Sequence, residues 1–395
     1  MKMENVTYKA NGNTLTVSLS GHIDSANAPA VEEAIAAARA TGAYDALELD
    51  CEKLEYISSA GLRIILLLRK ELPSLSVTNV TPEVYEIFDM TGFTEMIDIS
   101  KAYRVISVEG CEVIGQGANG KVYRIDRDTI VKVYLNPDSL PDIQRERELA
   151  RKAFVLGVPT AIPYDVVRVG DGYGSVFELL NAKSFAKLII SEPERIDEIV
   201  RMSVDLLKKI HSTELKPGEI PDMKAVALSW AEFMKDYLPA DKYGKLYSLV
   251  SAVPDDNHML HGDYHVKNVM LQESEALLID MDTLCTGNPV FELGSMYNAY
   301  VGYGELDKTK VEDFLGISYD RTKYIWRESL RLYLGGADEA TVNAVEDKAK
   351  VVGYTRIIRR MIRRGALETE EGRGEVEYFT GRLEELLDRV DTLTF

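Results

Sequence analysis

The stretch His261-Gly-Asp263-Tyr-His-Val-Lys-Asn268, followed by Leu278-Ile-Asp280-Met-Asp282, sets an acid, an amide oxygen and a second acid at short intervals. An Asp five residues ahead of an Asn is the spacing of a loop that transfers phosphoryl groups. The carboxylate of Asp263 would accept the proton of an attacking hydroxyl, and Asn268 offers a neutral oxygen suited to Mg2+. Asp280 closes the apolar run 276–279 and so emerges at a strand end, where it could bridge a metal to phosphates. Asp282 reads as a local structural acid. His261 and His265, at i and i+4, would suit a metal pair on a helix. Gly262 breaks such a helix and the surrounding donors are hard oxygens, so both histidines are read as structural.

A loop of this kind needs a phosphate cover and a lysine, and both lie upstream. Gly115-Gln-Gly117-Ala-Asn-Gly120-Lys-Val-Tyr also fits the opening of a Walker A loop, but Val122 stands where the metal-binding Ser or Thr would be. A dinucleotide or Walker fingerprint also requires a helix after the glycines. Here residues 121–125 alternate like a strand, and 129–134 give a second one. Strand, glycine turn, strand is the form of a loop laid over ATP phosphates in protein kinases. Glycine there lets backbone approach phosphate without a Cβ in the way. Lys132, on the second strand, would reach the α- and β-phosphates. Its acidic partner should come from the helix over 142–156, which carries both Glu146 and Glu148. Residues 176–180 close a further strand whose end, Glu178 to Leu180, would present backbone to adenine.

The first hundred residues read as strand, helix, strand, helix, strand, helix. Residues 13–20 alternate with Leu15, Val17 and Leu19 on one face, as a half-buried strand does. An Ala-rich helix follows to about residue 40, then a strand over 46–51, a helix over 62–72, a strand over 75–80 and a helix over 82–90. Ser58 and Ser59 fall at a helix N-terminus, where serine ordinarily caps unpaired N–H groups and where a phosphoryl group would also be stabilised.

Two resemblances bear on these readings. Leu19-Ser-Gly21-His-Ile-Asp24, Leu47-Glu-Leu-Asp50, Tyr56-Ile-Ser58-Ser59-Ala-Gly61-Leu62 and Phe88-Asp-Met-Thr-Gly92-Phe93 resemble a STAS domain, the anti-sigma-factor antagonist family, over about residues 3–100. That resemblance implies a phosphorylatable serine at Ser59. Many relatives have Asp directly before this serine, whereas Ser58 stands there in this chain. His261-Gly-Asp263, Asn268, Ile279-Asp280 and the Leu206-Leu-Lys-Lys-Ile-His211-Ser-Thr stretch resemble the aminoglycoside phosphotransferase/choline kinase family over about residues 108–395. Relatives place the glutamate about three turns ahead of Gly157-Val-Pro, which favours Glu146. The family lacks a protein-kinase activation segment, and here Met-Asp-Thr, not Phe-Gly, follows Asp280.

The expected fold is therefore α/β (α+β): a STAS-type domain over 1–102, then a bilobal protein-kinase-like fold with an N-lobe over 103–183 and a helical C-lobe over 184–395. The expected site has Asp263 as base, Gly115, Gly117, Gly120, Lys132, Glu146, Glu178 and Leu180 on ATP, Asn268 and Asp280 on Mg2+, and Ser59 as a phosphorylation position. The resemblance implies transfer of the ATP γ-phosphate to a small-molecule hydroxyl, with the STAS domain regulating or binding a protein partner. Two alternatives are a signalling kinase that phosphorylates Ser59 of its own or a partner STAS domain, and a non-catalytic nucleotide sensor. The acceptor would sit among the helices of 184–252 and 297–395, which carry no feature naming a substrate.

Composition narrows the partners. The 395 residues carry a net charge of −18, which argues against nucleic acid or an anionic membrane surface. An apolar fraction of 46% suffices for packed cores. The polar start of the chain lacks the apolar run of a signal peptide, and three scattered cysteines suggest no disulfide framework, so a cytoplasmic setting is expected. Against the acidic background, Arg356, Arg359, Arg360, Arg363 and Arg364 form one stripe at helical spacing. The expectation is a solvated face paired with acidic neighbours; the alternative is docking of an anionic substrate or an acidic partner surface.

Overall fold

The computed structural model describes residues 5–117, 120–136 and 139–395. The chain divides into two compact units, Met1–Ser107 with Val166–Asp171, and Val108–Asp165 with Gly172–Phe395. Each unit has its own hydrophobic core.

In the first unit, alternation sets the sheet. Strands β1 (Val6–Asn11), β2 (Thr14–Ile23), β3 (Ala46–Ile57), β4 (Leu75–Val80) and β5 (Asp98–Lys101) are ordered β1-β2-β3-β4-β5. β1 runs antiparallel to β2, and β2 through β5 are parallel. Leu15, Val17 and Leu19 of β2 and Leu47, Leu49 and Cys51 of β3 point into one core. Helix α1 (Ala28–Arg39) buries Val31 and Ile35, α2 (Ser59–Glu71) buries Leu62, Ile65 and Leu68, and α3 (Pro82–Met90) buries Val84 and Phe88. Gly61 is required at the start of α2: a Cβ there would lie 2.6 Å from Ile57 and 2.8 Å from Ile23 side-chain atoms. Beyond the expected elements the sheet gains both edge strands, β1 and β5. A short strand, β6 (Arg104–Ile106), follows.

The second unit begins with antiparallel strands. β7 (Glu112–Gln116) pairs with β8 (Gly120–Arg124), β8 with β9 (Thr129–Tyr134), and β9 with β11 (Gly172–Glu178), which follows β10 (Pro163–Val169). Helix α4 (Leu140–Val155) lies between β9 and β10 in sequence. Its buried face is Ile143, Glu146, Leu149, Ala150 and Ala153. The rest is helical around two small sheets: β12 (Lys183–Ser184) with β14 (Val269–Gln272) and β15 (Glu275–Leu278), and β13 (Met259–Leu260) with β16 (Cys285–Thr286). The helices are α5 (Phe185–Ser191), α6 (Ile196–His211), α7 (Met223–Phe233), α8 (Ala240–Ser251), α9 (Pro289–Tyr300), α10 (Thr309–Leu315), α11 (Tyr319–Tyr333), α12 (Glu339–Arg363) and α13 (Glu370–Arg389). Among the described residues no helix is long and apolar enough to cross a membrane.

Candidate active site

Strand alternation places Lys132 and Tyr134 on one face of β9, opposite the buried Val131. The Lys132 ammonium donates to Glu146 Oε1 at 2.9 Å and Oε2 at 3.2 Å, and to Asp280 Oδ1 at 2.7 Å. Tyr134 donates its hydroxyl to Glu146 as well. Glu146 is 3% exposed, on the inner face of α4, whereas Glu148 points outward. Burial alone would lower the Lys132 pKa, but Glu146 and Asp280 outweigh it and hold the amine above its ordinary value. One cation thus joins residues 132, 146 and 280.

The small β13–β16 pair carries the chain into the loop at 261–268. Gly262 is left-handed, φ 82°, and a Cβ there would collide with the Thr283 carbonyl oxygen, so no other residue fits without displacement. His261 is fully buried: its Nε2 donates to the Ile279 carbonyl at 3.1 Å and its Nδ1 accepts the Asp263 N–H at 3.3 Å. These partners fix the imidazole tautomer. Asn268 is 7% exposed and donates its side-chain amide to the Asp263 carbonyl at 3.0 Å, which leaves its oxygen for another partner. His265 Nε2 lies 3.5 Å from Asp263 Oδ2, and its ring stands edge-on to Phe314. Burial raises the Asp263 carboxyl, yet His265, and then Arg356 and His261, pull it down to about 2. Asp263 is therefore ionised at neutral pH and able to accept a proton.

Asp280 takes a left-handed conformation, φ 66° and ψ 65°, at the start of a single turn over Met281–Thr283. For a non-glycine residue this is a strained backbone, held in part by the Ile279 N–H bonded to the Asn268 carbonyl at 3.0 Å. The same bond ties the segments of Asn268 and Asp280 together. A neutral amide oxygen and a part-exposed carboxylate form the small hard-oxygen set that Mg2+ accepts when phosphates complete its shell. Burial, then the neighbouring Asp280 charge, push Asp282 up to about 7.

The glycine turn is closed by the Gly117 N–H on the Gly120 carbonyl at 3.0 Å; Ala118 and Asn119 lie outside the described residues. Open space surrounds the Gly117 Cα. Gly115 has only ordinary contact with Val122. At Gly120 the sheet itself supplies a further reason for glycine. A Cβ there would strike the Val133 carbonyl oxygen across the β8–β9 ladder, whether or not phosphate is near. Glu178 ends β11, its carboxylate accepting the Ile162 N–H at 3.4 Å, and Leu180 follows it half-buried. In the first unit Ser59 is exposed at the first position of α2, while the Ser58 hydroxyl is buried with no hydrogen-bond partner among the described residues.

Residues 110–324, more than half of the chain, match the family model of the phosphotransferase enzyme family. The chain belongs to that family. Residues 5–106 match the STAS domain. Over 100 residues this phosphotransferase is 31% identical to the anti-sigma-B factor antagonist of Bacillus subtilis, covering 24% of this chain and 90% of that protein. Among solved structures it is similar to a choline/ethanolamine kinase family protein from Mesorhizobium loti, at 15% identity and a TM-score of 0.45, covering 70% of this chain and 88% of that one. It is also similar to ADP-bound aminoglycoside phosphotransferase APH(2'')-Ib, at 15% identity and a TM-score of 0.45, covering 78% of this chain and 99% of that one.

Sequence reasoning missed one residue of the candidate site altogether. Glu292, in the first turn of α9, is 1% exposed. It accepts the N–H of His261 at 2.5 Å, of Gly262 at 3.1 Å and of Tyr264 at 3.4 Å. His211, at the end of α6, reaches within 3.7 Å of it, with Tyr333 bonded to the other ring nitrogen at 2.8 Å. A single carboxylate thus gathers the backbone on either side of Asp263. The one available signal was a Glu just inside a helix opened by Asn288-Pro289, beside otherwise apolar residues.

Proposed function

We propose that the second unit transfers the γ-phosphate of ATP to a hydroxyl of a small molecule, with Asp263 as base. The observation that carries this reading is the Lys132 bridge between Glu146 and Asp280, beside a loop that holds Asp263 and Asn268 in fixed geometry. In this reading Lys132 steadies the ATP phosphates, Glu146 aims Lys132, and Glu178 to Leu180 offers backbone to adenine. Among the described residues the Leu180 N–H has no backbone partner. Asn268 and Asp280 hold Mg2+, which when bound neutralises charge on the phosphates. Asp263 takes the proton as the acceptor oxygen attacks. Positioning and charge neutralisation supply the catalysis, since phosphoryl transfer asks for little covalent chemistry from protein. The test is Mg2+-dependent ADP release across a panel of hydroxyl compounds, with Asp263→Asn alongside. Acceptor-stimulated release that is lost in the variant supports the reading; equal release by both removes Asp263 as base.

A second reading, phosphorylation of Ser59, is favoured by one observation: the Ser59 side chain is exposed at a helix N-terminus with no acidic residue in its first turn. Radiolabelled ATP with wild type and Ser59→Ala decides it, because equal labelling of the two removes Ser59 as the target.

A further inference from the structure

The arginine stripe of α12 does not behave as the sequence suggested. Arg356, Arg359, Arg360, Arg363 and Arg364, together with Trp230 of α7, line a cleft of ≈ 470 Å³. Among the described residues none of the five is ion-paired to a carboxylate, although the chain has 64 acidic residues against 46 basic ones. Three of the guanidinium groups lie instead on aromatic rings: Arg356 is 5.6 Å from the centre of Trp230, Arg359 5.8 Å from Phe233, and Arg360 5.4 Å from Tyr303. Arg360 also donates to the Tyr303 hydroxyl at 3.0 Å. Ring faces attract cations without neutralising them, so Arg359 and Arg360 are held in place with no carboxylate partner among the described residues, while Arg356 also feels the Asp263 charge.

The cleft opens beside the transfer chemistry. Arg356 donates to the Gly262 carbonyl at 3.2 Å and to the Ser295 hydroxyl, and Gly262 directly precedes Asp263. One helix face therefore runs from the residue before the base out to Arg363, with a guanidinium at each turn.

We propose that this cleft is the acceptor subsite, and that the acceptor is a hydroxyl compound bearing at least one phosphate-type oxyanion. The inference rests on the phosphotransferase reading above and names its substrate class. An oxyanion seated on Arg359, Arg360 and Arg363 would hold the same molecule's hydroxyl toward Asp263. The acceptor oxygen then bonds to the γ-phosphorus, the bond from that phosphorus to the β–γ bridging oxygen breaks, ADP leaves with the electron pair, and the acceptor proton passes to Asp263. Planar guanidinium matches phosphate with paired hydrogen bonds, and several such groups suit a dianion better than a single carboxylate. The cleft is open to solvent, and its volume of ≈ 470 Å³ falls in the range of small-ligand sites. A polycationic acceptor would meet five like charges. Crowding also shows within the stripe: burial, then Arg363, lower the Arg359 pKa from its ordinary value.

The full-length protein is tested in two arms. In the first, inorganic phosphate is titrated by calorimetry into wild type saturated with Mg2+ and a non-hydrolysable ATP analogue, then into Arg359→Gln/Arg363→Gln and Arg359→Lys/Arg363→Lys. In the second, ADP release is measured with glycerol against glycerol 3-phosphate, ribose against ribose 5-phosphate, and kanamycin. The expected result is phosphate binding that the Gln pair abolishes and the Lys pair retains. Phosphorylated acceptors should be preferred over their neutral counterparts by about tenfold or more in kcat/KM, the effect of one lost charge-assisted hydrogen bond. The Gln pair should raise their KM by a similar factor while the KM for ATP stays put. Absence of phosphate binding in wild type overturns the proposal. So does turnover of neutral or cationic acceptors that ignores the Gln substitutions, and in that case the phosphotransferase reading survives. Arginine-dependent phosphate binding with no ADP release from any acceptor instead sinks the phosphotransferase reading and the acceptor role with it. Binding of a polyglutamate peptide that displaces phosphate, with no turnover of the phosphorylated compounds, replaces the small acceptor by a protein surface and overturns the proposal as well.

Discussion

At the scale of single residues, Asp263 and Lys132 should fail in different ways. Asp263→Asn keeps the shape of the loop, because the contacts that shape it, to the Asn268 amide and the His261 ring, are made through the Asp263 backbone. What is lost is a proton acceptor, so kcat should fall by about 10²–10⁴. Calorimetry should find binding of the Mg2+–ATP analogue within a few-fold of wild type. Lys132→Ala removes the one cation paired with Glu146 among the described residues, and that carboxylate is 3% exposed. Leaving such a charge uncompensated costs about 3 kcal/mol. The prediction is a weaker ATP KM together with a lower urea midpoint, and Lys132→Ala/Glu146→Gln should recover stability but not turnover. Recovery of turnover by the double variant would show that Lys132 has no role beyond balancing Glu146.

At the scale of elements, α9 holds the loop at 261–268 through Glu292. Its folded pKa is depressed: burial raises it, but the His211 imidazole, the nearby His261 and the Gly262 N–H outweigh that. A depressed carboxylate contributes stability that is present above its unfolded pKa, about 4.3 for Glu, and is lost as pH falls through the folded value. Glu292→Gln should therefore be less stable than wild type at pH 7 by about 3 kcal/mol, as an amide cannot replace a charge that accepts three N–H groups. The gap between the two proteins should narrow in urea titrations taken below pH 4. A constant gap across that range would mean the glutamate is not ionised in the fold. The same element marks where the sequence was silent. Helices and central strands announce themselves by the period of their apolar residues, as at Leu15, Val17 and Leu19. Glu292 breaks the apolar pattern of α9 as any surface acid would, and only the fold brings the loop to it. Strand β1 went unread although Val6, Tyr8 and Ala10 alternate with Thr7, Lys9 and Asn11: the run is short and weakly apolar, and in the fold nearly every position of Val6–Asn11 is exposed at the sheet edge. The arginine stripe was visible as a helical face, yet its lack of acidic neighbours depends on what α7 and the Tyr303 segment place opposite. Asp263, Asn268 and Asp280 stood out in the sequence because the proposed phosphoryl-transfer chemistry fixes residue type and spacing together, and the fold ties their segments by the Asn268 amide on the Asp263 carbonyl and the Ile279 N–H on the Asn268 carbonyl.

At the scale of the whole molecule, the two units carry separate cores, one built on the β1–β5 sheet and one on the helices that surround the loop at 261–268. Separate cores predict that heat unfolding is not a single two-state event. A ligand that binds only the native second unit stabilises that unit by mass action, by about 2.7 kcal/mol at a hundred times its Kd. For a unit of this size each kcal/mol shifts the midpoint by roughly 2–4 °C, so a non-hydrolysable ATP analogue with Mg2+ should move one calorimetric transition up by about 5–10 °C. The other transition, from the STAS unit, should stay where it was. Ser59→Glu, which adds negative charge at the start of α2 where the helix dipole favours it, should move only that other transition. Two perturbations acting on two transitions independently would mean that any regulation of the phosphotransferase by its STAS unit requires a third component. A single transition that shifts as one body under the nucleotide would instead show the units energetically coupled, so that a change at Ser59 reaches the active site within the chain itself.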